Sequence, residues 1–440
     1  MRGAVPAAVL AACVGCGRQP PNLLIVTLDT TRTDYLSTYG SARAFTPGLD
    51  RLASSGVVFD QATSVAPLTL PAHSSLFTGL LPPRHGVRDN ADRPLAAEHE
   101  TLAEILHARG FRTAAFVASA VLSRTRGLSQ GFDVYGDGSS TDPWNRPRAD
   151  RPGEEVVGEA LAWLREQGTA RFFLWVHLHD AHAPYAPPAP FDALYPGDPY
   201  AGEVAYADAQ LEWLTDEVAR AGHLENTIII VAGDHGESLG EHGEREHGMF
   251  LYESVTRVPL VIRAPGLRPR RVASVTRLVD VMPTALDLLG LEIPAADGVS
   301  LQPWMRGGVQ TLALDGYAES LYPARFGWSP IRSLRDERFK LIAAPRPELY
   351  DLQRDPLEQH NVYAARVSVA EAMSRRLAAL DATASSPVDR PFELPPEALD
   401  RLRSLGYVGG ASGSAARSGN GVADVKDHIQ EFNDRSSRRR

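Results

Sequence analysis

The stretch that decides the fold is PNLLIVTLD, residues 21–29, an unbroken apolar run that closes on an aspartate. The same plan returns in RFFLWVHLHD at 171–180 and in NTIIIVAGDHGE at 226–237. Runs of this length that are rich in β-branched and aromatic residues, and that do not alternate, are typical of strands buried on both faces of a parallel sheet. We therefore predict three parallel strands, each followed directly by polar side chains.

Helical patterns alternate with these runs along the chain. Several of them end in glycine, as helix C-termini often do. Two further runs, at 113–119 and 258–265, are additional strand candidates. The helical patterns lie at 46–56, 101–110, 154–168, 206–222 and 278–290. Strands that alternate with helices predict an α/β fold with a parallel sheet.

The character of the chain changes towards its C-terminus. The segments IRSLRDERFKLIAA and ELYDLQRDP are shorter and more polar, which predicts an antiparallel hairpin in a small second subdomain. From Gly409 onward, GGASGSAARSGNG lacks a core-forming pattern and indicates disorder. The predicted units are a catalytic domain at 20–325, a C-terminal subdomain at 326–408 and a disordered tail at 409–440.

Charge and cysteine content exclude several classes of protein. The formal net charge of −9 argues against a nucleic-acid partner. The two cysteines, Cys13 and Cys16, both precede the first predicted strand, so the folded body has no disulfide framework and no thiolate metal site. Beyond the N-terminus, no segment has the ~18 uninterrupted apolar residues that a membrane-spanning helix needs.

The N-terminus, MRGAVPAAVLAAC, has the layout of a secretory signal, with one positive charge, an apolar run and small residues before a cysteine. LAAC resembles the lipobox of bacterial lipoproteins, with Cys13 as the lipidated residue and Cys16 as an alternative. A buried first strand or a disordered start is the competing interpretation. We expect residues 1–16 to be a signal peptide with lipobox, and the mature protein to be lipid-anchored to a membrane in the periplasm or cell envelope.

Polar side chains follow each of the three central runs. In open α/β sheets, ligands bind beyond the carboxyl ends of the strands. The side chains there are Asp29; His177, His179, Asp180 and His182; and Asp234 and His235. Carboxylates and imidazoles that converge on one sheet edge are what a zinc- or manganese-type site needs.

Each of these residues also has a purely structural interpretation. Asp29 could be a turn residue, and one of His177 and His179 could be packed or could support a ligand rather than bind metal. His242 has the setting of a loop histidine. Asp234 and His235 resist such an interpretation, because two buried polar groups after IIIVAG need partners that a metal would supply.

The segment SVAPLTLPAHSSLFTG, residues 64–79, places Thr69 directly ahead of a run that reads as the start of a helix. Threonine commonly caps helix starts. A helix N-terminus also gathers free backbone N–H groups and binds anions well, so a hydroxyl there could instead attack a phosphate. The local pattern leaves both roles open.

These residues belong to a set of segments that together resemble the sulfatases of the alkaline phosphatase superfamily, over residues 20–408. The resemblance implies a mixed, mostly parallel sheet between helices, with a small antiparallel C-terminal subdomain. The segments are NLLIVTLDTTRTDYLSTYG (22–40), TLPAHSSLFTGLLPPRHGVRDN (69–90), HAPYAPP (182–188), GDHGESLGEHG (233–243), LYESVTRVPLVIRAPG (251–266), LVDVMPTALDLLG (278–290) and ELYDLQRDPLEQHNV (348–362).

The resemblance places Thr69 where sulfatases carry the Cys of Cys-x-Pro-x-Arg, which is oxidised to formylglycine and becomes the nucleophile. Threonine cannot undergo that conversion, which starts from cysteine or serine. His73 stands where the family has arginine, and Asn90 matches a substrate-contacting asparagine. The implied catalytic residues are Thr69, His73, Asn90, His182 and His247, of which His73, Asn90 and His182 also bind substrate.

The implied metal ligands are Asp29, Thr69, Asp234 and His235. Thr30 replaces the second aspartate of many calcium-type sulfatases, and His235 stands where those members have asparagine. We therefore expect one or two divalent metal ions, Zn or Mn rather than Ca. His247 occupies a position where sulfatases place a lysine, and the first lysine of this chain is Lys340.

At these positions the chain is similar to the phosphate-handling members of the superfamily. We predict a metal-dependent ester hydrolase with Thr69 as covalent nucleophile, acting on phosphate mono- or diesters or phosphonates rather than on sulfate esters. The substrate would be a small molecule or a glycan or lipid ester. The alternatives are a true sulfatase, a phosphoethanolamine-type transferase to a glycan or lipid, and a binding lipoprotein without catalysis.

Overall fold

The computed structural model describes residues 20–91, 93–138, 150–308, 313–382 and 423–437. The predicted signal peptide and lipobox, with Cys13, lie outside these ranges. The described chain forms one large sheet between two layers of helices and a smaller sheet beside it.

Nine strands form the large sheet, and their bounds follow in chain order. They are β1 Asn22–Leu28, β2 Val57–Thr63, β3 Arg112–Val117, β4 Val134–Gly136, β5 Phe172–Leu178, β6 Thr227–Gly233, β7 Arg257–Val258, β8 Leu260–Arg263 and β9 Arg270–Arg277. Their spatial order is β4-β3-β5-β1-β6-β8-β2-β7, with β9 paired to β2. The pairs from β4 to β6 and the β2–β9 pair are parallel, whereas β7 and β8 pair antiparallel with their neighbours. The predicted α/β class with a mixed, mostly parallel sheet is confirmed.

Helices cover both faces of this sheet, which explains why its central strands are apolar without alternation. Along β1, Leu23 and Ile25 pack into one hydrophobic cluster, and Leu24 and Val26 pack into another on the opposite face. The helices are α1 Pro47–Ser54, α2 Thr69–Thr78, α3 Pro82–His85, α4 Leu102–Ala108, α5 Gly153–Glu166, α6 Phe191–Leu194, α7 Pro199–Arg220, α8 Glu253–Thr256, α9 Val281–Leu288, α10 Gln302–Met305, α11 Val367–Asp381 and α12 Ile429–Ser437. None of these described helices combines the length and apolar character needed to cross a bilayer.

The smaller sheet is antiparallel and has four strands in sequence order. They are β10 Gly316–Ser320, β11 Ile331–Arg335, β12 Phe339–Ala343 and β13 Glu348–Asp351. The predicted boundary at 326 falls too late, because β10 pairs with β11 along its whole length, from Gly316 opposite Arg335 to Ser320 opposite Ile331. Residues 383–408 of the predicted subdomain lie outside the described ranges.

The predicted disorder of the tail is wrong for residues 423–437. Val425 and Phe432 are buried, and the Phe432 ring packs on Tyr322 and Phe326 at centroid distances of 6.0 and 5.6 Å. The prediction of disorder relied on the glycine- and serine-rich run that precedes this segment. The apolar residues of 423–437 instead pack against residues in a distant part of the chain. The rest of the predicted tail lies outside the described residues.

The register of the central strands sets the position of the site. β1 lies between β5 and β6, and Leu28 is aligned with both Leu178 and Gly233. Asp29, His179 and Asp234 each follow one of these aligned residues. Three functional side chains therefore leave the same edge of the sheet side by side.

Candidate active site

Three oxygen atoms and one nitrogen atom converge at this edge of the sheet. The Thr69 Oγ1 lies 3.4 Å from His235 Nε2. The same nitrogen lies 3.6 Å from Asp29 Oδ1 and 3.6 Å from Asp234 Oδ2. All four residues are buried. Ligand atoms bound about 2.1 Å from a tetrahedral ion lie about 3.4 Å apart, so these spacings match a metal cage.

The electrostatics of the four residues also fit a divalent cation. Among the described residues, Asp29 Oδ1 and Asp234 Oδ2 have no hydrogen-bond partner although both are buried. Burial and the Asp29 carboxylate raise the pKa of Asp234 well above its usual range. Burial and the His247 ring lower the pKa of His235 to about 3, which keeps the imidazole neutral as a metal ligand must be. A bound cation would satisfy both carboxylate oxygens and the imidazole.

The second oxygen of Asp29 lies close to two histidines, one in β5 and one directly after it. Its Oδ2 lies 2.7 Å from His179 Nδ1 and 3.2 Å from His177 Nε2. Burial opposes a charge on Asp29, yet the His179 and His177 rings hold the pKa of this carboxyl well below its usual range. His179 Nδ1 therefore donates to a carboxylate that is a candidate metal ligand, whereas His177 Nε2 lies near the same oxygen without making a hydrogen bond to it.

The backbone beside Asp29 is strained. Thr30 adopts a φ of 50°, which is unusual for a β-branched residue. Its conformation is fixed by three hydrogen bonds: Thr30 N–H to Asp234 Oδ1 at 3.2 Å, Thr30 Oγ1 to Ala181 O at 2.7 Å, and Tyr200 Oη to Thr30 O at 2.6 Å. The Thr30 hydroxyl thus serves the backbone, and the strain is concentrated between two candidate metal ligands.

Thr69 does not cap the helix that it starts. It is the first residue of α2, the N-cap position belongs to Leu68, and the Thr69 hydroxyl lies against His235 Nε2. The carboxamide of Asn90 takes over part of this task, since the Leu70 N–H donates to Asn90 Oδ1 at 2.9 Å. Asn90 Nδ2 is buried without a hydrogen-bond partner among the described residues. Of the two roles that the local pattern allowed, capping is excluded, and an amide donor lies at the same helix N-terminus.

His73 is built into the wall of the site. Its Nδ1 lies 2.8 Å from Thr69 O, and its Nε2 lies 3.0 Å from Thr27 Oγ1. The Trp175 indole N–H donates to the same Thr27 oxygen at 3.0 Å. Burial and His177 lower the pKa of His73 to about 3. Because both ring nitrogens are engaged by the protein, this geometry gives His73 a role in holding the first turn of α2, and the predicted substrate contact gains no support.

His182 and His247 line the other side of the cage. The His247 ring centroid lies 4.5 Å from that of His235 and 5.1 Å from that of His182. His182 Nδ1 lies 2.7 Å from Ala183 O, and burial together with His179 lowers the pKa of His182 well below its usual value. The structure thus brings these predicted residues next to the candidate metal ligands.

Two residues near His247 were not anticipated from the sequence. His247 Nδ1 lies 2.9 Å from Glu237 Oε1, and the Tyr185 hydroxyl donates to Glu237 Oε2 at 2.8 Å. Gly236 permits the close approach of this loop to α8, because a Cβ at that position would stand 2.1 Å from Ser254 O. The segments HAPYAPP and GDHGE contain both residues, but nothing in either pattern indicates that they meet.

Metal-ligand spacing recurs within the cluster. Among the described residues, three groups have ligand atoms within 4.8 Å of one another: Asp29–His177–His179, His73–His177–Asp234 and Asp29–Asp234–His235. None of the three contains His182 or His247. His242, by contrast, lies in a turn and stacks on the Tyr252 ring at 3.5 Å, in accord with its interpretation as a loop histidine.

Comparison with known proteins agrees with this architecture. The sulfatase family profile matches residues 21–291. The chain belongs to the sulfatase family. A second profile, N-sulphoglucosamine sulphohydrolase C-terminal, matches residues 240–383, which include the small antiparallel sheet.

Relatives of this sulfatase-family chain act on different esters. A Δ4,5-hexuronate-2-O-sulfatase from Bacteroides thetaiotaomicron is 23% identical, with 78% of this chain and 85% of the relative covered. A choline-sulfatase from Rhizobium meliloti is 34% identical over 37% of this chain and 32% of the relative. The crystal structure of a phosphonate monoester hydrolase from Agrobacterium radiobacter superimposes with a TM-score of 0.71 at 25% identity, covering 83% of this chain and 96% of that one.

These similarities confirm two sequence predictions: membership of the sulfatase family and an ester-bond hydrolase. The family uses a divalent metal, and the cage described above offers ligands for it. The roles of the individual side chains, and the choice between sulfate and phosphorus esters, remain predictions.

Proposed function

We propose that this protein hydrolyses phosphorus esters, with Thr69 as the covalent nucleophile. The observation that carries the proposal is the position of the Thr69 hydroxyl, 3.4 Å from His235 Nε2 and within a cage of buried carboxylates. A threonine in this position cannot become formylglycine. The nucleophile is therefore a plain hydroxyl, and the chemistry must suit one.

The choice of phosphorus over sulfur follows from the second half of the reaction. A threonine sulfate ester has no adjacent hydroxyl through which the sulfate could be expelled, as a formylglycine hydrate has. A phosphothreonine can be attacked at phosphorus by water instead. The phosphonate monoester hydrolase among the structural relatives supports the same ester class.

The metal in this proposal is Zn or Mn, held by Asp29, Asp234 and His235 with Thr69 Oγ1. Imidazole nitrogen together with carboxylate oxygen suits these ions better than Ca, which prefers oxygen alone. One ion suffices, because the three overlapping ligand groups of the described residues do not extend to His182 or His247. When bound, the ion would lower the pKa of the Thr69 hydroxyl and offset charge on the phosphoryl oxygens.

The side chains then divide the reaction between them. Thr69 Oγ1, whose proton would leave to solvent before the substrate binds, attacks phosphorus, so that one P–O bond forms while the bond to the leaving oxygen breaks. The imidazolium form of His247 gives its Nε2 proton to the leaving oxygen, because Nδ1 of this ring is hydrogen-bonded to Glu237 Oε1. His182, whose pKa is held well below its usual value, stays neutral beside it, with Nδ1 hydrogen-bonded to Ala183 O. Asn90 Nδ2 and the N–H groups at the start of α2 stabilise the non-bridging oxygens.

Water completes the cycle. It attacks phosphorus, gives a proton to His247, and displaces Thr69 Oγ1, which is left deprotonated for the next turnover. Each turnover therefore consumes one water and returns the enzyme unchanged.

The test is a panel of matched 4-nitrophenyl esters given to protein reloaded with Zn, Mn or Ca. We expect the phosphonate monoester or phosphodiester to exceed the sulfate ester by at least about tenfold in kcat/KM, with Zn or Mn above Ca. A preference for the sulfate ester, in line with the relatives named as sulfatases, would contradict the proposal. Product phosphorylated on an added alcohol would indicate a transferase, and binding without turnover a protein that has lost catalysis.

We also propose that Cys13 anchors the mature chain to a membrane of the cell envelope. The support is the LAAC sequence after an apolar run. Replacing Cys13 and Cys16 together by serine should release the protein into the soluble fraction. A double variant that still fractionates with membranes, as the parent does, would contradict the anchor.

A further inference from the structure

Glu237 is a buried carboxyl group with polar partners at both oxygens, and burial raises its pKa well above its usual range. Its Oε1 lies 2.9 Å from His247 Nδ1, and its Oε2 accepts the Tyr185 hydroxyl at 2.8 Å. Its backbone is fixed as well, because the Glu237 N–H donates to Ser254 O at 3.1 Å and Arg32 Nη1 donates to Glu237 O at 3.0 Å. The side chain is completely buried, so it has no contact with bulk water.

This arrangement selects one form of the His247 ring. When Glu237 is ionised, its Oε1 can only accept, which favours the His247 tautomer that carries its proton at Nδ1 and leaves proton exchange to Nε2. The ring itself is kept in place by its neighbours, with centroids 4.5 Å from His235 and 5.1 Å from His182. Nε2 lies across the ring from Nδ1, on the side away from Glu237.

We propose that Glu237 is a positioning residue that fixes the tautomer and orientation of His247, and that Tyr185 keeps the Glu237 carboxylate in line. The inference rests on the proposed function, in which His247 passes a proton to the leaving oxygen. In that step the imidazolium form of His247 gives its Nε2 proton to the leaving oxygen as the P–O bond breaks, and the neutral ring that remains keeps its Nδ1 proton towards Glu237.

The alternative is that Glu237 only braces the loop between His235 and His247. A brace and a positioning residue differ in which substrates they affect. Loss of a proton donor harms esters with a poor leaving group, which needs the proton, far more than esters with a good leaving group. A loosened loop would harm both kinds of ester alike.

The test compares 4-nitrophenyl and alkyl esters of the same phosphonate in metal-loaded Glu237→Ala, Glu237→Gln, Tyr185→Phe and His247→Gln variants. We expect Glu237→Ala to lose about 100-fold or more in kcat on the alkyl ester and under about tenfold on the nitrophenyl ester. Glu237→Gln should recover most of the loss, since its amide oxygen can still accept from Nδ1. Tyr185→Phe should show the same selectivity with a smaller loss.

Two further results decide the assignment. On the alkyl ester, kcat of the Glu237→Ala/His247→Gln double variant should be no lower than that of His247→Gln alone, because both changes abolish the same proton donation. Equal losses on both esters, or losses that add in the double variant, would overturn the proposal. Should Glu237→Ala fail to fold, Glu237→Gln and Tyr185→Phe carry the same comparison.

The tautomer can also be read without catalysis. In protein with ¹⁵N-labelled histidine, a long-range ¹H–¹⁵N spectrum should show His247 protonated at Nδ1 in the parent and in Glu237→Gln, with His247→Gln giving the assignment. A parent ring protonated only at Nε2 would overturn the positioning role even if the enzyme turned over phosphorus esters. Conversely, the expected tautomer in a protein that hydrolyses none of these esters would locate the failure in the proposed function.

Discussion

The two sides of the active site are held in place by different means. On the strand-end side, Asp29 and Asp234 directly follow the aligned strands β1 and β6, so seven-residue ladders of backbone hydrogen bonds position them. On the loop side, Tyr185, Glu237 and His247 belong to connecting segments, and single side-chain hydrogen bonds join them. In the proposed function, metal binding therefore depends mainly on the sheet, whereas proton transfer depends on a few contacts between loops.

The largest effect is expected from removing a proposed metal ligand on the strand-end side. Asp234→Asn should lose bound metal and at least about 10³-fold in kcat, because an activated nucleophile is lost, while the strands that carry it keep the fold. Metal per chain, measured by inductively coupled plasma mass spectrometry beside a thermal melt, checks this expectation.

A matched control is available in Asp208→Asn, another buried aspartate, whose oxygens accept from Gly48 N–H and Leu49 N–H at 2.8 Å each. That variant should keep its metal. Unchanged metal content in Asp234→Asn would remove the residue from the ligand set and weaken the distinction between the two sides.

A smaller effect should follow from the histidine that holds Asp29. His179→Phe keeps an aromatic ring to stack on His182, which lies at a centroid distance of 4.2 Å, but removes the donor to Asp29 Oδ2. Loss of such a supporting donor typically weakens metal affinity by about 10- to 100-fold. At saturating metal, kcat should stay near that of the parent.

Competition with a chelator measures the metal dissociation constant of His179→Phe. His242→Phe serves as its control, because His242 stacks on Tyr252 outside the cage. If His179→Phe bound metal as tightly as the parent, the hydrogen bond from His179 to Asp29 would contribute nothing to metal affinity.

The smallest expected effect tests the loop side from a distance. Asn433 Nδ2, on α12, donates to Gly243 O at 2.7 Å, in the turn between Glu237 and His247. Asn433→Ala should cost about 1 kcal/mol of local stability, as loss of one hydrogen bond does, and lower kcat a few-fold. Metal content should not change.

Hydrogen exchange of residues 238–248, followed by mass spectrometry, reads this local loosening. Gln430→Ala, on the exposed side of the same helix, is the control. Exchange that is unchanged in Asn433→Ala would show that the C-terminal segment does not steady the loop.

The sequence predicted the strand-end side well because its signals are local. An apolar run that ends in Asp29 or in Asp234–His235 indicates a buried strand and the polar group that follows it, and parallel pairing brings the strand ends together. The α/β class rests on such signals, whereas the family rests on the longer segments that contain some of them. The structure adds that His179 donates to Asp29.

The loop side could not be predicted in the same way, because its partners are far apart in sequence. Glu237 and Tyr185 are separated by 52 positions, and no periodic pattern links them. The order of the segment at 423–437 was not predicted for the same reason, because Phe432 contacts aromatic residues about a hundred positions earlier in the chain. His73 was assigned to substrate by family position, whereas its contacts with Thr69 O and Thr27 Oγ1 depend on the packing of α2 against β1.

The central claim is that Thr69 Oγ1 forms the bond to phosphorus. The most direct test is kcat of metal-loaded Thr69→Ala on the best phosphorus ester, measured beside the parent. Loss of the nucleophile should lower kcat by about 10³-fold or more, or roughly 4 kcal/mol of barrier. Turnover by Thr69→Ala at a rate near that of the parent would contradict the account.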